Sequence, residues 1–186
     1  MTIYIKFEEV KKVLGNENWI KSFMEWYMDL KKKDNRVFLD KNDRYKVINS
    51  ISKKSLDHLL SLNEMKIEEI TGENSICDFF GYLFSGKFDN SLKLNTTQLR
   101  KFFDTIKMFK EKYSTDEEIK NNLGEISMLD AYIAAAKGKR NIPDLFFHIL
   151  RRYISELKED PTQENLKKFV KFLEAVVAYN KYYGGD

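Results

Sequence analysis

The sequence predicts an all-α protein, a compact antiparallel helical bundle with an additional helical region at its amino terminus. Three observations point there. Eight Gly and two Pro in 186 residues are few for an all-β chain built on frequent turns. Hydrophobic residues make up 42% and aromatic residues 14%, enough to fold around a core although 33% of residues are charged. Apolar residues also recur at three- and four-residue spacing over much of the chain, the period of a helix with one buried face.

The opening segment MTIYIKFEEVKKVL alternates apolar and charged residues and lacks the continuous apolar core of a secretory signal. From Asn16, the stretch NENWIKSFMEWYMDLKKK sets Trp19, Ile20, Phe23, Trp26, Tyr27 and Leu30 on one helical face, with Asn16 as its cap. The pattern breaks between Asp34 and Asp43. Tyr45, Val47, Ile48, Ile51, Leu56, Leu59, Leu60 and Leu62 then predict one or two further helices ending before Thr71-Gly72. The apolar run SICDFFGYLF stops at Ser85-Gly86, and KFDNSLKLN has the polar character of a connection. The main boundary is placed there. Residues 1–90 form a helical amino-terminal extension or the first half of the bundle, and residues 91–186 form a helical bundle.

After the boundary, Thr96 or Thr97 caps a helix whose buried face carries Leu99, Phe102, Phe103, Ile106 and Tyr113. Arg100, Lys101, Asp104, Lys107 and Glu111 lie on its other face. Ser114 and Thr115, each followed three residues later by Glu, form overlapping capping boxes that open a short helix stopped near Gly124. In EISMLDAYIAAAKGKR the alanines permit close helix contact, and Gly138 sits where a carboxy-terminal cap is expected. Asn141 and Pro143 open DLFFHILRRYISELKE, and Pro161-Thr162 starts a last helix that ends at Gly184-Gly185. Short links between these helices imply antiparallel neighbours.

Several function classes are excluded. Cys77 stands alone and cannot form an internal disulfide, and with two distant histidines it supplies no zinc quartet, so no metal or cofactor is expected. No stretch approaches the ~18 apolar residues of a membrane span, which predicts a cytoplasmic protein without membrane contact. A HEPN-type ribonuclease needs His shortly after Arg on one helix. His58 is preceded at five residues by Lys53, and His148 lies eight residues after Arg140. The paired acids Glu8-Glu9 and Glu68-Glu69 diverge by about 100° on a helix and read as solvated faces. With no phosphate loop and no nucleophile elbow either, no catalytic residue is assigned.

What remains is cations. Net charge is +3. Residues 1–90 carry 15 basic and 15 acidic side chains, residues 91–186 carry 17 and 14, so a basic face belongs to the second half. Arg100 and Lys101 stand in the first turn of their helix, where positive charge opposes the helix dipole, and a phosphate there would gain from the open amides. Lys107 follows two turns on, about 10 Å along the axis, on the same side as Arg100. Lys137, Lys139 and Arg140 gather at the Gly138 turn, where cations also complement the dipole without any ligand. Aromatic side chains do not alternate with these cations, so contact would be to a nucleic-acid backbone without sequence preference.

The closing segment FVKFLEAVVAYNKYYGGD resembles the carboxy-terminal signature of the small subunit of type III-A CRISPR effector complexes, through Phe169, Glu174, Ala175, Ala178, Tyr179, Lys181, Tyr182, Tyr183, Gly184 and Gly185. NTTQLRKFFDTIK is similar to that family's Thr/Ser-rich cap followed by Arg, and MLDAYIAAAKGKR to its Tyr-Ala-x-Gly-Arg turn. The resemblance covers roughly residues 92–186. It implies a non-catalytic helical tile, repeated along the complex beside other subunits and further copies of itself, touching the guide RNA and target RNA. It also implies that Arg100, Lys101, Lys139 and Arg140 contact phosphate, and that Tyr179 to Gly185 serve packing or subunit contact. The turn departs from the family pattern by one residue between Gly138 and Arg140. The alternative is a helical protein-interaction and oligomerisation module that binds no nucleic acid.

Overall fold

A computed structural model describes residues 2–32, 36–95, 97 and 100–185, with only the backbone given for Arg100 and Lys101. The chain forms β1 (Thr2–Ile5), α1 (Phe7–Leu14), α2 (Trp19–Lys32), β2 (Arg36–Leu39), α3 (Arg44–His58), α4 (Ile67–Ile70) and α5 (Ile76–Phe84). A 3-10 turn at Asn90–Leu92 leads on to α6 (Arg100–Lys112), α7 (Asp116–Asn121), α8 (Leu123–Gly138), α9 (Asp144–Glu159) and α10 (Gln163–Tyr182). The all-α class holds, with one small addition. β1 and β2 form a two-stranded parallel sheet in the register Thr2↔Arg36 to Ile5↔Leu39. The helix expected from Asn16 begins at Trp19, where the Ser22 amide donates to the Asn18 carbonyl.

The unpatterned run ICDFFGYLF is helix α5, with every residue from Cys77 to Phe84 buried. A helix apolar on all sides has to be covered on all sides. α2 covers one side, with the Trp19 ring 4.9 Å and the Phe23 ring 5.5 Å from Phe79. α9 covers another, Phe84 lying 5.0 Å from Phe146. α10 runs along a third, where Gly81 admits the backbone of Tyr179 and Asn180. Buried residues from Ile5 to Val176 make one continuous hydrophobic cluster.

The predicted capping box forms once, between Thr115 and Glu118, and opens α7. α8 differs from expectation. Its alanines were expected to bring helices close, yet Ala131, Ala134 and Ala135 are exposed and only Ala136 is buried. The buried face of α8 is formed by Ile126, Leu129 and Ile133 with Ala136. The close approach in this fold is made at Gly81. No helix among the described residues is long and apolar enough to cross a membrane.

Candidate nucleic-acid interface

Two helices of the chain end on the same backbone motif with different residues. At the end of α10, the Gly184 amide donates to the Lys181 carbonyl at 2.9 Å and the Gly185 amide to the Asn180 carbonyl at 2.9 Å, with Gly184 at φ +76°. At the end of α8, the Arg140 amide donates to the Lys137 carbonyl at 2.9 Å and the Asn141 amide to the Ala136 carbonyl at 3.0 Å. These paired bonds close a helix through one residue in the left-handed region. In α8 that residue is Arg140, at φ +57°. Gly138, expected to be the cap, is instead the last helical residue. An L-residue in that region costs about 1–2 kcal/mol relative to glycine.

Around this turn the cations differ in what holds them. Lys137 is ion-paired to Asp144, the first residue of α9. Lys139 and Arg140 are exposed, and neither makes an ion pair or side-chain hydrogen bond among the described residues. A planar guanidinium presents a fork of donors suited to two oxygens of one phosphate. Arg140 and Lys137 line a groove of about 580 Å³ with Lys93, His148 and, from α3, Asn49 and Ser52. Lys93, Asn49 and Ser52 escaped sequence reasoning. No local signal marks them, because the groove is assembled from helices far apart in the chain.

The second predicted cluster starts α6. Arg100 and Lys101 occupy its first turn; their side chains, and the proposed caps and face residues Thr96 and Leu99, lie outside the described residues. Chain connectivity still relates the two clusters. The Asn95 amide donates to the Asn141 carbonyl at 3.1 Å, and five residues span at most about 18 Å. The start of α6 therefore lies within about 18 Å of the bond between Asn95 and Asn141. Lys107, two turns further along α6, is engaged. Its ammonium lies 3.4 Å from Glu174 on α10, and Glu174 also takes Lys171 at 3.1 Å. Burial opposes ionisation of Glu174, but hydrogen bonds and charge from Lys171 and Lys107 outweigh it and hold its pKa below the ordinary value.

The other reactive residue types are Cys77 and two exposed histidines. Cys77 is fully buried, and burial pushes its thiol pKa well up, with Asp78 adding to the shift. His58 stacks edge-on to Trp19 at 5.8 Å, and His148 lies 5.6 Å from Phe147. Tyr179 donates to the Thr71 carbonyl at 2.8 Å and Tyr183 to Asp78 at 2.7 Å, so these two pack within their own chain, whereas Tyr182 is exposed. Among the described residues no group of His, Cys, Asp and Glu is arranged to hold a metal.

The arrangement is that of a helical protein with two exposed cations, Lys139 and Arg140, at the turn between α8 and α9. The family model described as Csm2 Type III-A matches residues 84–186, more than half of the chain. The chain belongs to that family and is a subunit of a type III-A CRISPR complex. No curated protein and no solved structure matches it. The match begins at the last residue of α5 and takes in all of α6 to α10.

Proposed function

We propose that this chain is a non-catalytic, RNA-contacting small subunit that lines a cytoplasmic type III-A complex in antiviral defence. It touches guide RNA and target RNA through their backbones, without sequence preference, and assembles with the other subunits and with further copies of itself. Arg140 carries the reading. The chain keeps a cation in a left-handed turn where glycine is favoured, and backbone strain of this kind accumulates where function maintains it. Lys139 supports it from the same turn, and Arg100 and Lys101 from the first turn of α6. Lys137 and Lys107 contribute field more than contact, since each already has a carboxylate partner.

The test is purification of the tagged protein from its own cells, with co-purifying protein and RNA sized before and after ribonuclease. The expected result is a stoichiometric assembly holding short guide-length RNA. Exchange of Lys139 and Arg140 for Glu should lower the salt dependence of RNA association by about two phosphate contacts. Recovery with protein partners but no RNA would sink the reading. That outcome would favour a protein-interaction module, for which the outward face of α8 speaks: Met128 is 50% exposed beside the exposed Ala131 and Ala135.

A further inference from the structure

We propose that residues 1–90 hold a second binding site, for single-stranded RNA, on the outer face of the β1–β2 sheet and in the groove beside it. The choice of RNA rests on the function proposed above. The site itself rests on residues that lie, except Lys87 and Asp89, outside the family-matched segment.

Alternation along a strand sends successive side chains to opposite faces. Ile5 and Val37 turn inward and are buried, which leaves Tyr4, Arg36 and Phe38 outward. Tyr4 and Phe38 are register partners. Their rings lie 6.3 Å apart, inclined by 32°, and are 57% and 53% exposed. Two large rings held side by side in solvent offer a flat platform for stacked bases.

Phe38 also lines a groove of about 540 Å³ together with Arg36, Lys31, Arg44, Lys87 and Asp89. Its charge is cationic. Asp89 is taken by Arg44 through two bonds of 2.7 Å, which leaves Lys31, Arg36 and Lys87. Lys31 stands over the Tyr27 ring at 5.7 Å. Arg36 and Lys87 make no ion pair among the described residues. Aromatic faces beside a cationic groove are the combination by which proteins hold a flexible single strand, bases stacked and phosphates neutralised. The net charge of zero over residues 1–90 hides this, because Asp89 is the one acidic side chain among the described residues that line the groove, and Arg44 holds it.

The experiment is ultraviolet crosslinking of the full chain to a uridine homopolymer, with peptide mapping, alongside binding measured by anisotropy. Crosslinks at Tyr4 or Phe38 are expected. The Tyr4→Ala and Phe38→Ala variants should each weaken binding about tenfold at unchanged salt dependence. Phe38→Trp should retain binding, and Arg36→Glu with Lys87→Glu should reduce the salt dependence. All four positions are at the surface, so folding is preserved. Crosslinks confined to residues 100–140, with the Tyr4 and Phe38 variants binding normally, overturn this site and leave the proposed function standing. Crosslinks at the sheet, with Lys139→Glu and Arg140→Glu without effect, sustain this site and overturn the turn as an RNA contact. A full chain that binds no homopolymer overturns the site outright.

Discussion

Gly81 lies against Tyr179 so closely that a methyl group on Gly81 would fall on the Tyr179 Cβ, 2.7 Å from its carbonyl carbon and 2.8 Å from the Asn180 nitrogen. The contact joins α5, which precedes all but the first residue of the family-matched segment, to α10, the last helix within it. Backbone atoms cannot move aside as a side-chain tip can. The packing of the carboxy-terminal helix therefore depends on a residue that the family match does not include.

Gly81→Ala should destabilise the protein by about 1–3 kcal/mol, the usual range for overpacking a filled core. In a chain of this size each 1 kcal/mol lowers Tm by about 2–4 °C, so thermal unfolding followed by circular dichroism reads it directly. An unchanged Tm would mean that α5 and α10 have room to part.

Asp89 joins Arg44 at the start of α3 to the connection after α5. Burial raises its carboxyl pKa, but hydrogen bonds from Arg44 and Ser91 outweigh this and hold it below the ordinary 3.8. A depressed pKa stabilises the fold at every pH above the ordinary value, and that contribution disappears as pH falls through the folded-state value. Asp89→Asn should cost about 1 kcal/mol at neutral pH, limited by the half-exposed guanidinium. Chemical denaturation should show the difference closing below pH 3.8. A constant difference down to acid would show that charge is not the cause.

Arg140→Gly should separate stability from binding. Releasing the left-handed arginine should raise stability by as much as about 1 kcal/mol, net of the extra freedom glycine has when unfolded, while RNA association weakens. Equilibrium denaturation and anisotropy on one preparation measure both. Loss of stability on this exchange would show that Arg140 is held by packing.

Thr115→Ala removes the hydroxyl that accepts from the Glu118 amide at the start of α7. It should cost about 1 kcal/mol, seen as a shift in denaturation midpoint. Thr115→Ser, which keeps the oxygen, should restore most of the loss.

Much of the fold was legible because helices announce themselves locally. The Trp19 to Leu30 face, the Phe102 to Tyr113 face, the Thr115 capping box and the α9 and α10 stripes all appear where the three- and four-residue spacing placed them. The sheet was not legible. TIYI and RVFL are four residues each, too short for a period to register, and each becomes a strand only by pairing with the other across two helices. The β-branched and aromatic residues of IYI and VFL were the available signal.

The candidate site divides along the same line. Sequence by itself determined the helical class, the family and the cations at both helix ends, because these depend on residue type and on spacing within a turn or two. Tertiary structure decided which of those cations are engaged: Lys107 meets Glu174, and Lys137 meets Asp144. It also moved the cap of α8 from Gly138 to Arg140, placed α3 beside the turn, and set Tyr4 next to Phe38 above a cationic groove. Burial is a property of the whole packed chain. A residue's partner across the fold is chosen by how the helices cover α5, and no local window contains that choice.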